Sequence, residues 1–220
     1  MPVAMASSTG TVWNIATEPS PTGSWYAVNY GDGQWVALGH SADVAVSRDG
    51  SRWTEYPVPA GSWQSVTNGN GHFVALSSTN ANPEELVSTN GRSWTATSGP
   101  AGPWSALTFN EGRFVAVSSA GQIDTSTNGM QWKEVWHHGN YDFTSVAYGN
   151  GHFVAVDSSL GAVAISTNGV DWSRLFPAPH AVTQWRAVVY GEGEFVALDG
   201  SSSGYCVALE CHEGGPLGAD

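Results

Sequence analysis

A short pattern returns five times along this chain of 220 residues at intervals near forty, and that period constrains the fold more than any other property of the sequence. The pattern is a Gly-x-Gly turn followed by an aromatic residue and Val-Ala. It reads Gly31-Asp-Gly-Gln-Trp35-Val-Ala, then ends on Phe73, Phe114, Phe153 and Phe195, with Asn110 replacing the first glycine in the third copy. The steps between these aromatics are 38, 41, 39 and 42 residues. Ten residues before each stands Trp25, Trp63, Trp104, Phe143 or Trp185, in fixed phase. A third marker, Ser-x-(Asp/Asn)-Gly-x-x-Trp, occurs at Ser47 to Trp53, Ser88 to Trp94, Ser126 to Trp132 and Ser166 to Trp172. Its fifth copy stands at the other end of the chain, as Ser7-Ser-Thr9-Gly10-Thr-Val-Trp13.

Each unit reads as four short strands. Strand A starts at the tryptophan or Phe143, and the Gly-rich turn is that of a two-residue hairpin. Strand B is the aromatic-Val-Ala segment. Strand C leads into the third marker, whose Asn/Asp-Gly pair suits a tight turn, and strand D follows its tryptophan. Four antiparallel strands repeated every forty residues predict an all-β fold, a five-bladed β-propeller in one domain. The blades fall at about 24–61, 62–102, 103–141, 142–183, and 184–210 plus 7–18. The split last unit predicts ring closure, with the N-terminal strand over 11–17 completing the C-terminal blade and so protecting the sheet edges.

The third marker resembles the Asp-box, or BNR repeat, of sialidases, other glycan-active propellers and photosystem assembly factors. The box here is one residue shorter than the usual Ser-x-Asp-x-Gly-x-x-Trp. In that family its Ser and Asp brace a turn and its Trp packs between strands, so the resemblance implies a fold rather than an activity. The residues read the same way by themselves, because short Ser and Asx side chains bond nearby backbone in turns.

Composition narrows the partners. Only 12% of residues are charged, and 7 Lys plus Arg stand against 19 Asp plus Glu, a formal net charge of -12. That balance repels phosphate backbones and anionic lipid surfaces, so nucleic acid and membrane insertion are not expected. The apolar runs are strand-sized and none would span a bilayer as a helix. Met1 to Gly10 lacks the basic and apolar pattern of a signal peptide. Cys206 and Cys211 are too few for a disulfide scaffold or a zinc cage, and no metal or cofactor is implied.

Catalysis finds little support. The resemblance to sialidases implies three arginines on a substrate carboxylate, but Arg48, Arg52, Arg92, Arg113, Arg174 and Arg186 fall mostly beside the A-to-B and C-to-D turns, away from a shared central pocket. Glycoside hydrolysis needs two facing carboxylates. Asp157 and Asp199 follow B strands of adjacent units and are the candidates, with Asp43, although solvated loop carboxylates are the plainer reading. The A-to-B and C-to-D turns are nearly invariant, whereas the D-to-A and B-to-C loops vary, and loops on a rigid scaffold are where binding resides. On that rim the candidate ligand residues are Trp25, His40, Asp43, Trp63, Trp104, Trp136, His138, Tyr141, Asp157, Trp185 and Asp199. Aromatic faces beside hydroxyl, amide and carboxylate groups suit sugar rings, although the tryptophans serve equally as core residues between blades. The favoured function is a non-catalytic, lectin-like propeller binding glycans or glycoconjugates, secreted or displayed on a cell or virion surface. The alternatives are a protein-binding scaffold of the assembly-factor type, for which an exposed apolar patch is expected, and a small glycoside hydrolase or lyase.

Overall fold

The protein is described by a computed structural model over residues 5–6, 14–15, 24–40, 42–79, 84–175, 184–200 and 208–211, the first two and the last of these as backbone. The strands in chain order begin with β1 (Met5–Ala6) and β2 (Asn14–Ile15). The first full sheet is β3 (Trp25–Gly31), β4 (Gln34–Gly39), β5 (Asp43–Ser47) and β6 (Thr54–Pro57). The second is β7 (Trp63–Gly69), β8 (His72–Ser77), β9 (Glu85–Ser88) and β10 (Thr95–Thr97). The third is β11 (Trp104–Asn110), β12 (Arg113–Ser118), β13 (Gln122–Ser126) and β14 (Lys133–His137), and the fourth is β15 (Phe143–Gly149), β16 (His152–Asp157), β17 (Val163–Ser166) and β18 (Ser173–Leu175). The last comprises β19 (Trp185–Gly191), β20 (Glu194–Asp199) and β21 (Ala208–Cys211). In each sheet the strands pair antiparallel in chain order, the repeated meander of a β-propeller. Among the described residues no helix is long and apolar enough to cross a membrane.

Among the described residues β2 pairs with β1, Met5 opposite Ile15, and the last sheet holds three strands; the rest of the expected closing strand over 11–17 lies outside the described residues. Residues 7–13, which carry the fifth turn marker, lie outside the described residues, as do Cys206 and the side chain of Cys211.

The turns follow from their residues. Gly31 pairs with Gln34 across Asp32 and Gly33, both at positive φ, 49° and 73°. That is the two-residue turn whose twist matches a hairpin. The same geometry recurs at Asn70, Glu111, Asn150 and Glu192, each followed by glycine. At the second repeated turn, Ser47 Oγ accepts from Gly50 N at 2.9 Å, and Asp49 Oδ1 accepts from the backbone N of Ser51 and Arg52, both at 2.8 Å. These bonds hold the Asp49 carboxyl below the ordinary carboxylate range, the contact from Arg52 N contributing most. Ser88 with Asn90 and Ser166 with Asn168 build the same brace. The brace itself uses the amide or carboxylate oxygen, which Asp and Asn share, and at Asn168 the amide nitrogen adds a bond to Asp171 Oδ2 at 2.8 Å.

The chain divides into two compact units, one of Met1–Ala101 with Asn128–Met130, the other of Gly102–Thr127 with Gln131–Asp220. Within the first, Leu38, Val44 and Val46 of one sheet pack on Trp63, Phe73 and Leu86 of the next. Within the second, Val115, Val117 and Ile123 meet Phe143, Phe153 and Ala155, and Val154, Val156 and Val163 meet Trp185 and Phe195. The B strands are buried along nearly their whole length, as in β8, β12 and β16. A strand covered on both faces reads as a continuous apolar run, which accounts for Phe-Val-Ala-Val.

Candidate recognition surface

The same defect occurs in every A-B hairpin. Trp25 pairs with Gly39 and Ala27 with Leu38, leaving Tyr26 as an extra residue. The shift repeats between Trp63 and Ser65, Trp104 and Ala106, Phe143 and Ser145, and Trp185 and Ala187. Each bulge is closed by one hydrogen bond from the residue after strand B to the carbonyl before the aromatic. His40 N reaches Ser24 O at 3.0 Å, and Ser78, Ser119, Ser158 and Gly200 do the same to Ser62, Pro103, Asp142 and Gln184. A bulge bends its strand and re-aims one side chain, and such features gather beside functional sites.

The bulged residues are Tyr26, Gln64, Ser105, Thr144 and Arg186. Their neighbours repeat from unit to unit and they do not. In the first unit Tyr26 is 56% exposed and stacks on His40, ring centroids 4.2 Å apart, and Gln64 is half-buried. In the second unit Arg186 is exposed and lies over Gly200, where a Cβ would overlap its side chain. Thr144 is turned inward, its hydroxyl donating to Trp185 O at 2.8 Å. Reading the sequence by repeats missed these positions. The signal was present, as a variable residue immediately after each aromatic marker.

The structure sorts the expected ligand residues. Trp63, Trp104 and Trp185 are fully buried, so they are packing residues and present no face to a ligand. Their indoles are fixed by short-range contacts: Trp63 Nε1 donates to Pro59 O, Trp185 Nε1 to Gly161 O, and Gly61 and Gly102 leave room for the rings of Trp63 and Trp104. Trp25 is half-buried. Trp136, His138 and Tyr141 are brought together, with centroids 4.8 Å and 6.1 Å apart in sequence. Tyr141, however, is buried, stacked on Phe143 at 5.6 Å, and its hydroxyl accepts from Arg174 Nη1 at 2.6 Å. Only His138 of the three is exposed. His40 is exposed beside Tyr26, while Asp43 and Asp199 are half-buried at strand ends.

Asp157 is not a solvated loop carboxylate. It is fully buried, and its oxygens accept from Asp142 N and Leu160 N, both at 2.6 Å, and from Ser159 Oγ at 2.8 Å. At the equivalent position Ser118 Oγ accepts from Ala120 N and Gln122 N. The position is a loop brace. A buried carboxylate with a large pKa shift is instead Asp124 on β13, where three other copies carry Ala45, Leu86 and Ala164. Burial pushes its pKa up to about 6, with the Glu134 charge adding and His137 opposing. Asp124 Oδ1 has no hydrogen-bond partner among the described residues. Glu134 in turn accepts from Gln122 Nε2 at 3.0 Å and lies 3.3 Å from His137 Nδ1. No group of three metal-ligating side chains occurs among the described residues.

No protein-family model matches the chain, and no curated protein matches it in sequence. Solved structures do. The chain is similar to YCF48 bound to D1 peptide, with a TM-score of 0.65 at 18% identity, covering 87% of this chain and 66% of that one. It is similar to a streptogramin B lyase, with a TM-score of 0.72 at 14% identity, covering 84% and 65%. It is also similar to a chain of a nidogen/laminin complex, with a TM-score of 0.65 at 11% identity, covering 90% and 80%. This chain thus spans just under two thirds of the length of the first two. The likeness is to β-propeller proteins and concerns the fold.

Proposed function

We propose that this chain is a non-catalytic recognition propeller whose partner is a protein or peptide, engaged at the bulged ends of the A strands. The carrying observation is that one backbone device recurs in every unit while the residue at it changes, through Tyr26, Gln64, Ser105, Thr144 and Arg186, of which Tyr26 and Arg186 are exposed. A purely structural bulge has no need of five different side chains. The exposed groups are a phenol ring and a guanidinium, which pair with peptide carbonyls and carboxylates and supply no acid/base couple. The similarity to YCF48 bound to D1 peptide and to a chain of a nidogen/laminin complex supports a protein partner. The lyase among the similar structures does not alter this preference, because Asp157 is committed to its loop.

The lectin-like reading is the second one, and it rests on one observation. Tyr26 keeps an exposed ring backed by His40, a platform of the kind on which a sugar ring stacks. Parallel screening of the purified chain on peptide and glycan arrays separates the two, with Tyr26→Ala and Arg186→Ala variants carried alongside. Peptide binding that weakens about tenfold in either variant at unchanged melting temperature supports the proposal. Binding confined to sugars and lost with Tyr26 establishes the second reading in its place. Ligand capture indifferent to both substitutions refutes the bulge surface.

A further inference from the structure

The protein carries one lysine and six arginines against nineteen carboxylates, yet three of those arginines line a single cleft. The cleft lies wholly in the first unit and encloses about 220 Å³. Arg48 and Arg52 come from the turn between β5 and β6, Thr54 and Tyr56 from β6, and Arg92 from the turn between β9 and β10 of the neighbouring sheet. Two braced turns of consecutive units therefore place cationic side chains around one space.

Among the lining residues the guanidinium groups outnumber the carboxylates. Asp49 is the one carboxylate among the lining residues, and its Oδ1 is already taken by Ser51 N and Arg52 N. Three guanidinium groups and one carboxylate leave the cleft at a formal charge of +2, within a protein of net charge -12. Arg92 is half-buried, with its guanidinium carbon 5.9 Å from the centre of the Tyr56 ring. Its Nε is buried and meets no acceptor among the described residues. A buried donor without a partner is expensive to maintain, and a guanidinium fork fixed over an aromatic ring is preorganised for an oxyanion.

We propose that the cleft lined by Arg48, Arg52 and Arg92 is a binding site for a dianionic oxyanion, a phosphate or sulfate group. The local +2 charge matches a dianion better than the single charge of a carboxylate, and the forks of several arginines suit its tetrahedral oxygens. The site belongs to the repeated C-to-D turns, at the opposite end of the strands from the bulges, so it stands independently of the function proposed above.

Isothermal titration of the full chain with inorganic phosphate, inorganic sulfate, phenyl phosphate and acetate tests the assignment. Saturable one-site binding of phosphate or sulfate, weaker for acetate and weakened further by added salt, is expected. Arg92→Gln and Arg48→Ala should each weaken it at least about tenfold, the loss of one charge-assisted contact. Arg186→Ala, outside the cleft, should leave it unchanged. Tighter binding of phenyl phosphate than of the free ion would identify an esterified group as the ligand, and the reverse order a free ion. Because Arg48 is exposed and unneeded for packing, its variant keeps the test valid even if Arg92→Gln fails to fold. Absence of saturable binding, acetate binding as tight as phosphate, or affinity unchanged in the Arg48 variant overturns the proposal.

Discussion

Replacing Asp124 by Asn should stabilise the protein at neutral pH and leave it nearly unchanged in acid. The carboxyl is buried opposite Ala116 and Glu134, at a position filled by Ala or Leu in three other copies. Its pKa stands at about 6 against an ordinary 3.8. The native state therefore holds this proton more tightly than the unfolded chain does. Below about pH 4 both states are protonated and the site carries no electrostatic penalty. As pH rises the unfolded chain ionises first, so stability falls, and the full penalty is reached above the native pKa. A shift of about two units corresponds to about 3 kcal/mol at neutral pH. Asn has the same shape, carries no charge and escapes the penalty. Denaturant midpoints of wild type and Asp124→Asn at about pH 4 and about pH 8 measure the effect, and a gain of about 3 kcal/mol in a domain of this size raises the melting temperature by roughly 6–12 °C. A gain of equal size at both pH values, or a loss at the higher one, would refute burial as the origin of the shift.

Three further substitutions test the local architecture. Asn90→Ala removes the acceptor of Arg92 N and Ser93 N and should cost about 1–2 kcal/mol in chemical denaturation, whereas Asn90→Asp should be tolerated because Asp49 already makes the same bonds. Glu192 sits at φ 52°, where asparagine is more at ease, and Glu192→Asn should raise stability by about 1 kcal/mol, visible as a higher melting temperature. Asp157→Ala removes the buried acceptor of Asp142 N and Leu160 N and should cost about 1–3 kcal/mol. An unchanged melting temperature in that variant would release Asp157 from its structural role and reopen an acid/base one.

How far the sequence could be read depended on the distance over which each feature is decided. The hairpin turns and the Ser-x-Asx-Gly braces were legible because every participating atom lies within about four residues, so spacing alone fixes the chemistry. The buried B strands were legible for a similar reason, since a sheet covered on both faces demands a continuous apolar run. The tryptophan positions were legible but their role was not. Trp63, Trp104 and Trp185 share a pattern with ligand-stacking aromatics, and only the neighbouring sheet determines that they are sealed in.

By itself, the sequence determined an all-β chain built on a repeated antiparallel unit. Tertiary structure decided where function can reside. Bulge register depends on pairing between two strands, so the outward turn of Tyr26 and Arg186 is invisible to periodicity. Burial converted Asp157 from a candidate acid into a brace and shifted Asp124, because desolvation depends on surroundings that no single strand specifies. Arg48 and Arg92 belong to different units of the repeat, and only the packing of one sheet on the next brings them to the same cleft.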